Sequence, residues 1–160
     1  MRKFAPLALL FALGCAPGSA VDLGLPPAVQ EALDTPGVTE FVTLRPTPLS
    51  GESKPQDTVG EFLVLSTVKP PQGKEGEIEE WLRFAALAPG ATAPEAFAPR
   101  YGARLTRGDQ TYGFALDPSH AAYKVYDASR QELASGTLRP DMASPGQALP
   151  WIKAKGDDQP

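Results

Sequence analysis

Tyr101-Gly-Ala-Arg-Leu-Thr-Arg107, Thr111-Tyr-Gly-Phe-Ala-Leu-Asp117, Ala121-Ala-Tyr-Lys-Val-Tyr-Asp127 and Gln131–Leu138 follow one another with only short breaks, and they decide the fold. Tyr112, Phe114 and Leu116 alternate with Thr111, Gly113, Ala115 and Asp117, so the second run has a heavy face and a light one. That period of two is the signature of a strand. Gly108-Asp109, Pro118-Ser119 and Ser129-Arg130 stand between the runs as turns. Parallel neighbours need crossovers of about a dozen residues, so breaks this short imply an antiparallel β-meander.

Working outward, Glu77–Ala88 reads as the main helix, with Ile78, Trp81, Leu82, Ala85 and Ala88 on one apolar stripe. Glu75, Glu77, Glu79 and Glu80 cluster at its start, where negative charge suits the helix dipole. Glu61–Lys69 reads as a strand that is apolar on both faces, which predicts an interior place in the sheet. Val38–Arg45 is another strand, with Phe41 and Thr43 opposite Val42 and Leu44, and Pro46–Gly60 between the two is a long polar loop. Pro26–Asp34 reads as a two-turn helix ended by Pro36-Gly37, and a helical turn is expected around Pro94–Phe97. From Arg139 the chain is Pro-rich, with Trp151-Ile152 docked on the body. The sum is an α+β domain: an antiparallel sheet of five or six strands with one main helix packed on one face. Its expected bounds are residues 26–153, after a tether at 15–25 and before a flexible tail at 154–160.

The first residues read as an export signal. Arg2 and Lys3 precede an apolar stretch from Phe4 to Leu13, too short to span a bilayer core of about 30 Å. Ala12-Leu13-Gly14-Cys15 resembles the lipobox of bacterial lipoproteins, although leucine and the small residue stand in the opposite order from the usual one. The resemblance implies cleavage after Gly14, lipidation of Cys15 and a signal of residues 1–14. The other reading is cleavage after Gly18-Ser19-Ala20, a signal of residues 1–20 and a soluble protein beginning at Val21. The sole cysteine stands where lipidation needs it, which favours the first. An acylated Cys15 would anchor the chain stably, because several acyl chains supply more than one lipid signal.

Composition narrows the chemistry. The formal charge is −4, and loss of Met1–Gly14 removes two bases and no acid, leaving −6. That opposes a nucleic-acid partner, whose affinity would rest on neutralising phosphates. Arg100, Arg104, Arg107, Lys124 and Arg130 with the four tyrosines could form a basic stacking strip, but packing is the better account of the tyrosines. One cysteine and one histidine leave no disulfide framework and no ligand set for zinc. His120 reads as an exposed turn residue, the glutamates as a helix start, and Arg107-Gly108-Asp109 as a hairpin turn. No phosphate-binding glycine loop, Gly-x-Ser-x-Gly elbow or EF-hand spacing occurs, so no cofactor, metal or catalytic residue is expected.

The expected function is that of a non-catalytic, exported, lipid-anchored envelope module. Its partners would be the membrane, through the lipid, and a protein or cell-wall component met by the Pro46–Gly60 loop. The alternative is a periplasmic or surface carrier of a small apolar ligand, with Phe62, Trp81, Phe84, Tyr112 and Phe114 as candidate contacts.

Overall fold

The computed structural model describes residues 22–50, 57–88, 94–141 and 144–155. In chain order its elements are α1 (Pro27–Asp34), β1 (Val38–Pro48), β2 (Thr58–Val59), β3 (Phe62–Val68), α2 (Glu77–Trp81, continued by a π-helix over Leu82–Ala86), β4 (Tyr101–Arg107), β5 (Gln110–Asp117), β6 (Ala122–Asp127), β7 (Glu132–Thr137) and α3 (Pro145–Ala148), followed by a 3₁₀ turn at Pro150–Lys155. The strands make one antiparallel sheet in the order β2-β3-β1-β4-β5-β6-β7. The meander is therefore as the alternation predicts. Gly108-Asp109 closes Arg107 onto Gln110 as a two-residue hairpin turn.

The heavy face carries the main core. Phe41 of β1, Leu105 of β4, Phe114 and Leu116 of β5 and Val125 of β6 pack under Val29 and Leu33 of α1 and Ile78, Trp81 and Leu82 of α2 and its continuation. The light face is the inside of a curl. β2 lies four strands away from β5 in the sheet order, yet the two touch. A Cβ on Gly113 would fall 2.8 Å from Val59 Cγ1, and one on Gly60 would fall 2.6 Å from the Tyr126 ring. Glycine at these two places is what lets the β2 end close over β5 and β6 as a half-barrel. Val42, Leu44, Val59, Phe62, Ala115 and Tyr126 fill the enclosed space.

The antiparallel, sheet-rich character stands, with few short helices, but several finer expectations do not. The sheet has seven strands, not five or six, because β2 lies inside the stretch read as loop; β1 also runs on into that stretch, to Pro48. A two-residue strand is too short to show any periodicity. β3 is interior only at its start: β1 flanks it on one side, but on the other β2 pairs only with Phe62 and Leu63, and Leu65 is 61% exposed. The register steps from Thr43↔Ser66 to Leu44↔Val64, so Leu65 is the extra residue of a bulge. A bulge re-aims a side chain, and here it turns outward a residue that the apolar run marks as buried.

Nor does one main helix cover the sheet. The Glu77–Ala88 helix is α-helical only to Trp81, after which Leu87 donates to the Leu82 carbonyl at 3.0 Å across five residues. The wider turn sends Ala86 and Leu87 into the core and leaves Ala85 only half-buried. It also frees the chain to pair Leu87 with Leu138 at the end of β7. The short helices α1, α2 and α3 share the covering of the heavy face. Packing begins at Leu23 and Leu25, both buried, within the stretch read as tether. The Pro94–Phe97 turn is not helical; Phe97 instead sets its ring edge-on to Phe62 at 5.6 Å.

Candidate functional site

The five candidate aromatics are not gathered in one cavity. Phe62 is enclosed on the light face and Phe114 on the heavy one, both at 1% exposure or less. Tyr112 borders a cleft beside α1, where its hydroxyl donates to Gln110 Oε1 at 2.7 Å. Trp81 and the exposed Phe84 line a different cleft of about 340 Å³, walled also by Ala85, Ala148 and Leu149. Trp81, Tyr112 and Phe114 share the heavy-face core, whereas Phe62 lies on the light face and Phe84 is exposed. Cys15 lies outside the described residues.

The polar candidates divide between structural and open roles. Arg107 is sunk between α1, β1 and α2, and all five of its N–H groups are spent. Nε donates to Ala32 O at 2.9 Å, Nη1 to Val38 O and Thr106 O at 3.0 Å, and Nη2 to Thr39 Oγ1 at 3.3 Å and Glu79 Oε1 at 2.8 Å. The Arg-Gly-Asp triplet is thus a buried clamp and a turn. Glu79, read as part of a solvated helix start, is 5% exposed and answers Arg107. His120 is not simply an exposed turn residue either. Its Nδ1 lies 2.6 Å from Oδ2 of the fully buried Asp117, whose carboxylate also accepts the N–H groups of Ala98, Ser119 and His120. The basic strip does not form, since Arg104 points into the light face and Arg107 into the heavy side.

What the light face does build is a polar groove of about 290 Å³ at the mouth of the half-barrel. One wall is Asp57, Thr58, Val59 and Gly60, the described end of the Pro46–Gly60 stretch. The floor is Arg104 with Thr111 and Gly113, and the far wall is Asp127, Ala128 and Arg130 in the turn between β6 and β7. Arg104 is held by two acids, Asp57 across the groove and its cross-strand neighbour Glu40 at 3.6 Å. Asp127 accepts Ser129 Oγ at 2.7 Å and the Gln131 N–H at 2.9 Å, and these bonds hold its carboxyl below the usual range. Arg130 makes no ion pair among the described residues.

Comparison of the chain with known protein families, with curated proteins and with solved structures finds no match. The groove must therefore be read from its own chemistry. Arg130 is the residue that sequence reasoning missed, having counted it only as a turn and strip member. Its signal was visible: Ala128-Ser129-Arg130 has no glycine where a three-residue hairpin loop wants one. Among the described residues no cluster of His, Cys, Asp and Glu is arranged to hold a metal, and no helix is long and apolar enough to cross a membrane.

Proposed function

We propose that this protein is an exported, non-catalytic interaction module of the bacterial envelope, anchored by lipid at Cys15, which takes a protein or cell-wall partner in the groove between β2 and the Ala128–Arg130 turn. The carrying observation is the groove itself. A rigid sheet presents the end of the long Pro46–Gly60 stretch against an arginine that has no acidic partner of its own among the described residues. Polar groups converging on a concave site are the usual mark of a binding surface. The lipid anchor rests on the signal-like segment and on the position of the only cysteine.

Two measurements test this. Intact mass of the protein from host membranes should correspond to a chain beginning at Cys15 and carrying a diacylglyceryl group, and Cys15→Ser should abolish that mass. A chain beginning at Val21 in the soluble fraction would remove the anchor. Asp57→Lys combined with Arg130→Glu should leave a folded protein that no longer retains envelope partners in pull-downs. Unchanged capture would remove the groove as the contact site. Deleting all of Pro46–Gly60 would not test the groove, because Val59 is part of the core.

A second reading keeps one observation in its favour. Trp81 and Phe84 share a cleft of about 340 Å³ with Ala85, Ala148 and Leu149, rimmed by Glu77 and Glu80, which offers apolar surface to a small ligand. Native mass spectrometry of protein from its host would show the bound mass, and consistently empty protein would dismiss the carrier.

A further inference from the structure

We propose that the groove is a carboxylate-binding site in which Arg130 grips a carboxylate of a peptide. The inference rests on the groove being the contact site and names the chemistry that it takes.

The backbone of Arg130 is the first argument. Asp127 N–H donates to Gln131 O at 3.0 Å and Arg130 N–H to Asp127 O at 3.0 Å, so the chain reverses through a tight turn and then a residue in the left-handed region. Arg130 has φ +71°, a conformation that a side chain resists and glycine does not. A strained residue persisting where glycine fits better points to a use for its side chain.

The pairing of its charges is the second. Four charged groups line the groove, two of each sign. Arg104 is held by Asp57 and Glu40, and the Asp127 carboxylate, still an anion, accepts the bonds of its own turn from Ser129 and Gln131. Arg130 makes no ion pair among the described residues, and its planar fork of N–H donors matches a carboxylate bidentately. Thr58 and Thr111 stand on the wall and floor to bond the flanking peptide groups.

The test titrates the full mature chain carrying Cys15→Ser with three probes, followed by calorimetry: penta-alanine with a free C-terminal carboxylate, its C-terminal amide, and acetyl-Ala-Ala-Glu-Ala-Ala-amide. A saturable interaction with the first or the third, at least tenfold weaker for the amide, supports the site and tells a terminal carboxylate from a side-chain one. Arg130→Gln should weaken that binding at least tenfold, with Arg130→Lys intermediate, and added salt should weaken the wild type. Equal binding of the amide, unchanged binding by Arg130→Gln, or no binding at millimolar peptide would each overturn the proposal. The parent reading fails separately. A native chain starting at Val21 removes the anchor without touching this titration, and an envelope partner retained by the Asp57→Lys, Arg130→Glu protein removes the groove as its contact site.

Discussion

The two faces of this one sheet are built to different rules. The heavy face buries twenty residues under short helices and is locked by a fully bonded arginine. The light face buries six, approaches its own far end through glycines, and opens at its mouth onto charged side chains. Apolar burial contributes roughly 25 cal/mol per Å², so the first face carries most of the stability. The face that contributes less to stability is the one that can be given polar groups and a strained turn. The proposed contact site accordingly lies inside the curl, away from most of the aromatics.

The largest expected effect lies on the heavy face. Arg107→Ala leaves Glu79 buried without its cation and three carbonyls without a donor. It should cost about 3–5 kcal/mol in equilibrium unfolding. A loss within 1 kcal/mol would mean that the clamp is not what joins α1, β1 and α2. Next comes the closure of the curl. Gly113→Val drives a side chain into Val59 and should cost about 1–3 kcal/mol, as overpacking does. Hydrogen exchange should then rise in β2 and β3 before it rises in β4 and β5. Uniform acceleration across the sheet would contradict the view that the far end closes as a separate flap.

These same two sites show how far the sequence could be read. Alternation at Tyr112, Phe114 and Leu116 marked the heavy face and the meander correctly, because a period of two survives any detail of packing. It also marked the light face, but Gly113 and Ala115 gave no hint that Val59 would settle there. That contact joins residues far apart in the chain, and no local pattern encodes it. The helix over Glu77–Ala88 was legible at its start and misread at its end. Its π-turn answers to Leu138, a partner fifty residues on in the chain, and not to its own stripe. Of the groove's lining, Asp57–Gly60 falls in the stretch read as a loop, whereas Arg130 carries no local pattern beyond that of a turn.

A smaller effect separates strain with a use from strain without one. Ala121 also has a positive φ, +49°, in the turn before β6, and it lines none of the clefts described above. Ala121→Gly should stabilise the protein by about 1 kcal/mol and leave partner capture unchanged. No gain in urea midpoint would show that the turn is relaxed as it stands.

The smallest effect near neutral pH sharpens the contrast between faces under alkali. Burial, then the nearby Glu132 and Glu61 carboxylates, push the Tyr126 hydroxyl on the light face well above the ordinary tyrosine value. Burial alone raises Tyr123 on the other face. The unfolded chain releases these protons at about pH 10 and the folded one keeps them. Stability should therefore be full below that pH and fall as the pH climbs above it. Tyr126→Phe should remove more of this alkaline loss than Tyr123→Phe does. An equal or reversed order would deny that the mouth of the curl is the more charged surrounding.

The division of labour between the faces is tested most directly by measuring urea unfolding and carboxylate-peptide binding on one sample of Arg130→Gly. Glycine relieves the left-handed backbone and removes the guanidinium together. The account predicts a midpoint raised by about 1 kcal/mol of stability and peptide binding lost. A variant that is no more stable, or that still binds the peptide, would contradict it.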